Sequence, residues 1–429
     1  MKIKTLVKSY EEVAALPKAL HKSPKKPNIL FRSIMRIAAS SDIKQVDFSY
    51  TAENMEKAGD GPWLILMNHS SFLDLEIASR ILYPRPYNIV CTSDGFVGKE
   101  WLMRSLGCIP TQKFVTDLTL VGDIGHALKA NKTSVLMYPE ASYSFDGTAT
   151  PLPRKMGILF KRMRVPVVMI TTFGSFARDP LYNNLQKRKV KVSAKMECLL
   201  SPEEIKTKSV DEIDSVLDKA FDFDYFDWQR SNDVRITESF RADGLERILF
   251  RCQHCGQEGR MEGKGTSVRC KACGKEYAMD DLGRLNASEG PTEYSHIPDW
   301  YAAERVQVRE DIETDKYSLD TDVEIGMMVD YKAIYMVGEG KLHHDKNGFV
   351  LDGCEGKLHY EQGATACYSL YADYFWYEIG DVICIGNKDC LYYCFPKKDG
   401  VVAKTRLAVE EIYKQALQKT LRNKMERMA

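Results

Sequence analysis

Between residues 61 and 230 the chain alternates short apolar runs with stretches of helical period, and few folds accommodate that order. Trp63–Met67, Tyr87–Thr92, Ser134–Tyr138, Val167–Thr172 and Val190–Met196 have the length and composition of strands. Between them, Phe72–Leu82, Leu118–Ala130 and Arg154–Arg164 repeat apolar residues at helical spacing. Strands separated by helices return in the same direction, which predicts an α/β domain with a largely parallel sheet flanked by helices, over residues 51–235.

A chain of 429 residues exceeds what one core organises, so further domains are expected on either side. Residues 1–50 read as a helical N-terminal segment. Ile29, Leu30, Phe31, Ile34, Met35 and Ile37 recur at helical spacing, with Arg32 and Arg36 on the opposite side and Lys22, Lys25 and Lys26 upstream. Such a helix either covers the next domain's core or lies on an anionic membrane surface. Residues 245–285 form a cysteine module, and 286–314 a linker with a short helix around Trp300, Tyr301 and Val306. Residues 315–429 are rich in Tyr, Val, Cys and Gly and read as a β-rich domain closed by a long C-terminal helix. Leu407, Ile412, Ala416, Leu417 and Leu421 supply that helix's apolar positions.

Lys plus Arg and Asp plus Glu each total 60, so the bulk charge offers no support for a nucleic-acid partner. No apolar run approaches the roughly 18–20 residues that cross a bilayer, and the N-terminus lacks the apolar centre of a secretory signal. The expectation is a cytoplasmic protein that touches membranes peripherally.

Twelve cysteines in such a chain point to reduced thiols and a metal rather than disulfides. Cys252-Gln-His-Cys255 and Cys270-Lys-Ala-Cys273 are separated by fourteen residues, and Gly256 and Gly274 follow the two pairs. Four thiolates at this spacing predict a closed tetrahedral zinc ribbon. The zinc is structural, because a site with four protein ligands leaves no position for substrate, and no catalytic metal is expected.

The candidate chemistry lies where an apolar strand meets Asn68-His69-Ser70-Ser71-Phe72-Leu73-Asp74. A histidine at a strand's carboxyl end and an aspartate in the first turn beyond can meet across that turn. The imidazole then takes a proton near neutral pH, while the carboxylate fixes its tautomer. This segment resembles the first motif of the glycerolipid acyltransferase family, which includes 1-acylglycerol-3-phosphate acyltransferases. Three more blocks follow in that family's order. Lys99-Glu100 leads to Gly107-Cys108-Ile109-Pro110-Thr111-Gln112-Lys113, similar to the second motif. Tyr138-Pro139-Glu140-Ala141-Ser142-Tyr143-Ser144 resembles the third, usually Phe-Pro-Glu-Gly-Thr-Arg-Ser, and Val165-Pro166-Val167-Val168 the fourth.

The resemblance implies His69 as general base on the acceptor hydroxyl and Asp74 as its orienting partner. It implies Glu140, Ser142 and Lys113 at the acceptor and Pro166 at the acyl face, while Lys155, with Arg154 and Lys99, is a candidate to supply charge where the family's arginines are replaced. Acyl-CoA or acyl carrier protein would be the donor, and a lysophospholipid such as 1-acylglycerol-3-phosphate the acceptor. Lys113 stands where the family usually has Arg, Ala141 where it has Gly, and Tyr143 where it has Arg. Another acceptor such as glycerol 3-phosphate, or a non-catalytic lipid-binding scaffold, therefore stays open.

Overall fold

The computed structural model describes residues 2–115 and 117–428, with side chains through Lys419, so Leu421 lies outside the described side chains. Two compact units emerge. One comprises Leu20–Pro180 and Leu185–Glu238; the other comprises Met1–Ala19, Leu181–Asn184 and Ser239–Ala429.

The first strand, β1 (Thr5–Val7), belongs to the second unit. The first unit is built on β2 (Ser49–Glu53), β3 (Leu64–Met67), β4 (Tyr87–Thr92), β5 (Cys108–Thr111), β6 (Ser134–Met137), β7 (Val167–Phe173) and β8 (Ser193–Leu200). They form one sheet in the order β2-β8-β7-β3-β6-β4-β5. The five strands from β7 to β5 are mutually parallel. β8 runs antiparallel to β7, and β2 runs parallel to β8. The connection that makes the reversal, Gly174–Val192, holds a four-residue helix and a 3₁₀ turn in place of a crossover helix.

β3 and β6 sit at the sheet's centre with every residue buried, as expected when helices cover both faces. Leu64 and Leu66 point to one side, where Val135, Met137, Val167 and Met169 join Ile124 and Leu128 of the helix Leu118–Lys129 and Phe160 and Met163 of the helix Met156–Met163. The period-2 alternation of the strands thus fills the gaps between helical ridges. The helix Ile29–Gln45 breaks the usual polarity of a covering helix: Ile29, Leu30, Ile34 and Ile37 are all exposed. Its arginines turn inward instead, Arg32 donating to the Pro84 carbonyl and Arg36 lying 4.4 Å over the Tyr83 ring.

In the second unit, β9 (Met261–Lys264), β10 (Ser267–Cys270), β11 (Glu276–Met279) and β12 (Leu285–Ala287) make a small antiparallel sheet. A larger sheet follows from β13 (Leu319–Met328), β14 (Ile334–Asp345), β15 (Gly348–Gly353), β16 (Leu358–Gly363), β17 (Tyr371–Trp376), β18 (Gly380–Asn387) and β19 (Cys390–Pro396). Its order is β16-β15-β14-β13-β19-β18-β17, and β1 adds in parallel to β14. The expectation of a single helical piece over 1–50 therefore gives way to four parts: a strand, the short helix Tyr10–Ala14, an extended strap and the helix Ile29–Gln45. Thr5, Leu6 and Val7 are strand-favouring residues too few to register as a periodic run. The helix expected in the linker is long, Ile297–Glu313, and it packs on the helix Val401–Met428.

Candidate functional site

β3 ends at Met67 in the middle of the sheet, and the next two residues are fixed before any helix begins. Asn68 is buried and braces the neighbouring strand in both directions, its amide donating to the Thr172 carbonyl at 3.1 Å and its oxygen accepting from Thr172 N–H at 2.8 Å. His69 follows at the carboxyl edge. Asp74 lies in the first turn of the helix Leu73–Leu82, wholly buried.

The two meet as their spacing predicts: His69 Nδ1 and Asp74 Oδ2 are 3.3 Å apart. That oxygen also accepts the backbone N–H of Ser70 at 2.7 Å and of Ser71 at 3.0 Å, and Oδ1 accepts the Thr172 hydroxyl at 3.3 Å. Each of these groups donates to the carboxylate. It acts as an acceptor only, which places the imidazole proton on Nδ1 and the lone pair on Nε2. Burial pushes the imidazole below its ordinary value. Asp74 pulls the other way, and the Lys113 ammonium adds to the depression. The ring is thus neutral at pH 7 with Nε2 ready to accept a proton.

Glu140 is nearly inaccessible and braces the same turn from behind. Oε2 accepts the His69 backbone N–H at 2.8 Å, and Oε1 accepts the Thr150 N–H at 2.9 Å. Burial pushes its carboxyl up to about 7, with the Thr150 and His69 donors opposing. The residue's shown contacts are therefore with the loop that carries the histidine and with Thr150. Ala141 beside it has a φ of +54°, in the left-handed region. Tyr138 and Tyr143 place their rings 4.0 Å and 4.2 Å from the imidazole, at interplanar angles of 26° and 36°.

Ser142 is buried in the same loop and its hydroxyl donates to the Tyr143 carbonyl at 3.2 Å. Lys113 is half-buried and close enough for its charge to act on His69. Lys155 stands apart. It is exposed, starts the helix Met156–Met163 and gives its backbone N–H to Asp214 at 2.6 Å. Pro166 opens β7 at the end of the sheet opposite His69, where its carbonyl accepts Leu64 N–H.

Sequence reasoning missed Asp179. Its carboxylate accepts the Ser71 hydroxyl, and burial pushes it up to about 6 with that bond opposing. Ser71 thereby joins two buried carboxylates, its N–H on Asp74 and its hydroxyl on Asp179. Asp179 lies 108 positions beyond Ser71, outside every local pattern. Thr172 was missed for the same reason.

In the second unit the four cysteines converge. Cys252 and Cys273 sulfurs lie 3.8 Å apart, as do those of Cys255 and Cys270. A tetrahedron with zinc–sulfur bonds of about 2.3 Å has edges of about 3.8 Å, which these two distances match, and all four sulfurs lie within 4.8 Å of one another, so the cluster could hold a structural metal. The two knuckles repeat one backbone pattern, Gly256 N–H to the Cys252 carbonyl at 2.8 Å and Gly274 N–H to the Cys270 carbonyl at 2.9 Å.

Residues 48–173 match the family model described as Acyltransferase. Over 131 residues the chain is 28% identical to human 1-acyl-sn-glycerol-3-phosphate acyltransferase beta, covering 29% of this chain and 45% of the human protein. The chain thus spans about half the length of that curated relative. The crystal structure of the 1-acyl-sn-glycerophosphate (LPA) acyltransferase PlsC from Thermotoga maritima aligns over 44% of this chain and 78% of its own. The identity is 15% and the TM-score 0.32.

Proposed function

From the match of residues 48–173 to the Acyltransferase family model, we propose that the chain is a glycerolipid acyltransferase that moves a fatty acyl group from a thioester to a lysophospholipid hydroxyl. The observation that carries this reading is the contact of His69 Nδ1 with Asp74 Oδ2, 3.3 Å apart. Asp74, held by two backbone N–H groups, keeps the proton on Nδ1 and leaves Nε2 basic at the sheet's carboxyl edge. The acceptor hydroxyl gives its proton to Nε2 while its oxygen attacks the thioester carbonyl carbon. The tetrahedral intermediate collapses with loss of the thiolate, which takes the proton back from the imidazolium. No covalent acyl-enzyme is needed.

Acyl-CoA or acyl carrier protein supplies the thioester, and 1-acylglycerol-3-phosphate is the first acceptor to try. The Lys113 charge felt at His69 favours an anionic acceptor. A lysine holds a phosphate as a point charge rather than through a two-pronged fork, so glycerol 3-phosphate and other lysolipids belong in the same panel. The experiment follows thiol release from acyl-CoA with and without each acceptor, for the full chain and for His69→Ala. Loss of release of about 10²–10⁴-fold is expected, the usual contribution of a general base. Equal rates would remove the enzymatic reading and leave the lipid-binding scaffold.

The zinc is structural in this reading, held by Cys252, Cys255, Cys270 and Cys273. Zinc measured at one equivalent per chain and lost in Cys270→Ser, with thiol release retained, is the expected outcome.

Among the described residues no helix is long and apolar enough to cross a membrane. Contact with lipid runs instead through the helix Ile29–Gln45, whose Leu30 is 61% and Ile37 73% exposed, beside Trp101 at 72%. Phe31 meets Trp101 edge-on at 5.8 Å, which joins the two into one apolar face. Flotation with phosphatidylglycerol vesicles tests it: the full chain rises with lipid and the Leu30→Glu, Ile37→Glu variant stays behind. Equal flotation of both moves the contact elsewhere.

A further inference from the structure

Tyr138 poses a problem that stacking alone leaves unsolved. Its ring lies on the His69 imidazole, 4.0 Å between centroids. Stacking requires the ring only, and a phenylalanine would provide it. The hydroxyl, however, is buried and has no hydrogen-bond partner. A buried O–H left without an acceptor costs about 1–3 kcal/mol. Such a cost beside a basic imidazole calls for an acceptor that arrives from outside the chain.

The position narrows what that acceptor is. Tyr138 directly follows β6, and β6 pairs with β3, the strand that delivers His69. Both side chains therefore come from the carboxyl edge of adjacent central strands. The groups whose charges bear on the phenol are Asp74, Tyr143, Tyr87 and Cys91, none of them a cation. Burial, first among the causes, and these neighbours all raise its pKa, so the oxygen keeps its proton and acts as a donor. A donor held next to the general base matches one atom of the reaction, the carbonyl oxygen that becomes negative on attack.

We propose that the Tyr138 hydroxyl donates a hydrogen bond to the thioester carbonyl oxygen, and holds it as the oxyanion forms. The inference rests on the acyl-transfer reading of His69 given above. In the step, the acceptor oxygen bonds to the carbonyl carbon as its proton passes to Nε2, and the carbonyl π pair moves onto the oxygen. Tyr138 stabilises that charge without giving up its own proton. The pair returns as the carbon–sulfur bond breaks.

Tyr138→Phe in the full chain tests this, since it removes one oxygen and keeps the stacked ring. The expected result is a fall in kcat on the order of 10²-fold, the usual effect of removing one oxyanion donor. KM for acyl-CoA should stay within a few-fold, and the thermal midpoint should be unchanged or higher. A kcat within threefold of the parent overturns the proposal. A second measurement avoids turnover altogether, using a ketone analogue of acyl-CoA in which a methylene separates sulfur from the carbonyl. The analogue should raise the thermal midpoint of the parent more than that of Tyr138→Phe; equal shifts, including none in either, overturn it. His69→Ala distinguishes the two failures. If it is inactive while Tyr138→Phe is fully active, only the hydroxyl's role falls; if it matches the parent, the acyl-transfer reading falls too.

Discussion

At the scale of single residues, the site depends on an imidazole that is buried enough to stay neutral and paired enough to stay oriented. Burial lowers the His69 pKa from 6.5, and the base works only unprotonated. The rate therefore falls as pH drops through a value below 6.5, and it is level above pH 7. A profile of kcat/KM against pH checks this, and a limb centred near 7 would report Glu140 instead, whose carboxyl burial pushes up to about 7. Ala141 supplies a second prediction. Its φ of +54° suits glycine, the residue usual at this place in the family's third motif. Left-handed backbone costs a Cβ-bearing residue about 1–2 kcal/mol, of which glycine's greater unfolded freedom cancels roughly half. Ala141→Gly should thus stabilise by about 0.5–1 kcal/mol in urea unfolding, and a loss of stability would mean the methyl packs better than the strain costs.

At the scale of elements, what could be read depended on how far each signal reached along the chain. β3, β4, β6 and β7 were legible because buried parallel strands are short apolar runs, and His69, Asp74 and the knuckles because their partners are close in sequence. β5 contains Pro110, which suppresses a strand reading but is tolerated here because β5 is the sheet's edge. β2 is also an edge and exposes all five residues, so it carries no apolar pattern. Asp179 became visible only through folding, because nothing near it in sequence points to Ser71. The same holds for the charge cluster between the helices Ile297–Glu313 and Val401–Met428. There Glu410, 1% exposed, accepts from Arg305 at 2.6 Å, Ser369 at 2.6 Å and Arg406 at 3.4 Å. Glu410→Ala removes the buried acceptor shared by Arg305, Ser369 and Arg406 and should cost about 3–5 kcal/mol, read from the urea midpoint. A cost below 1 kcal/mol would mean the helices are held by apolar packing alone.

At the scale of the whole chain, the second unit is assembled from three separated stretches, and its first stretch is integral to it. Besides the β1 ladder, Lys8 N–H reaches the Met336 carbonyl at 3.1 Å and Ala19 N–H the Val329 carbonyl at 3.2 Å, while Val13 is fully buried. β1 covers β14 at residues 334–336, and β15 takes over the same strand from residue 340. Removing residues 1–19 should leave that length of β14 open and make the 319–396 sheet susceptible to limited proteolysis, with the 64–173 strands still protected. Equal protection of both would make the first stretch an ornament.

That long-range pairing imposes an order on synthesis. Val7 finds its register opposite Met336, so a nascent β1 leaves the ribosome with its mate still untranslated. At about 5–20 residues per second the delay is on the order of tens of seconds. Throughout it the unpaired strand, with Leu6 at its centre, waits while the residues of the first unit are already made. A segment made long before its partner strand is thus among the last to be seated, and its safekeeping falls to whatever binds nascent chains.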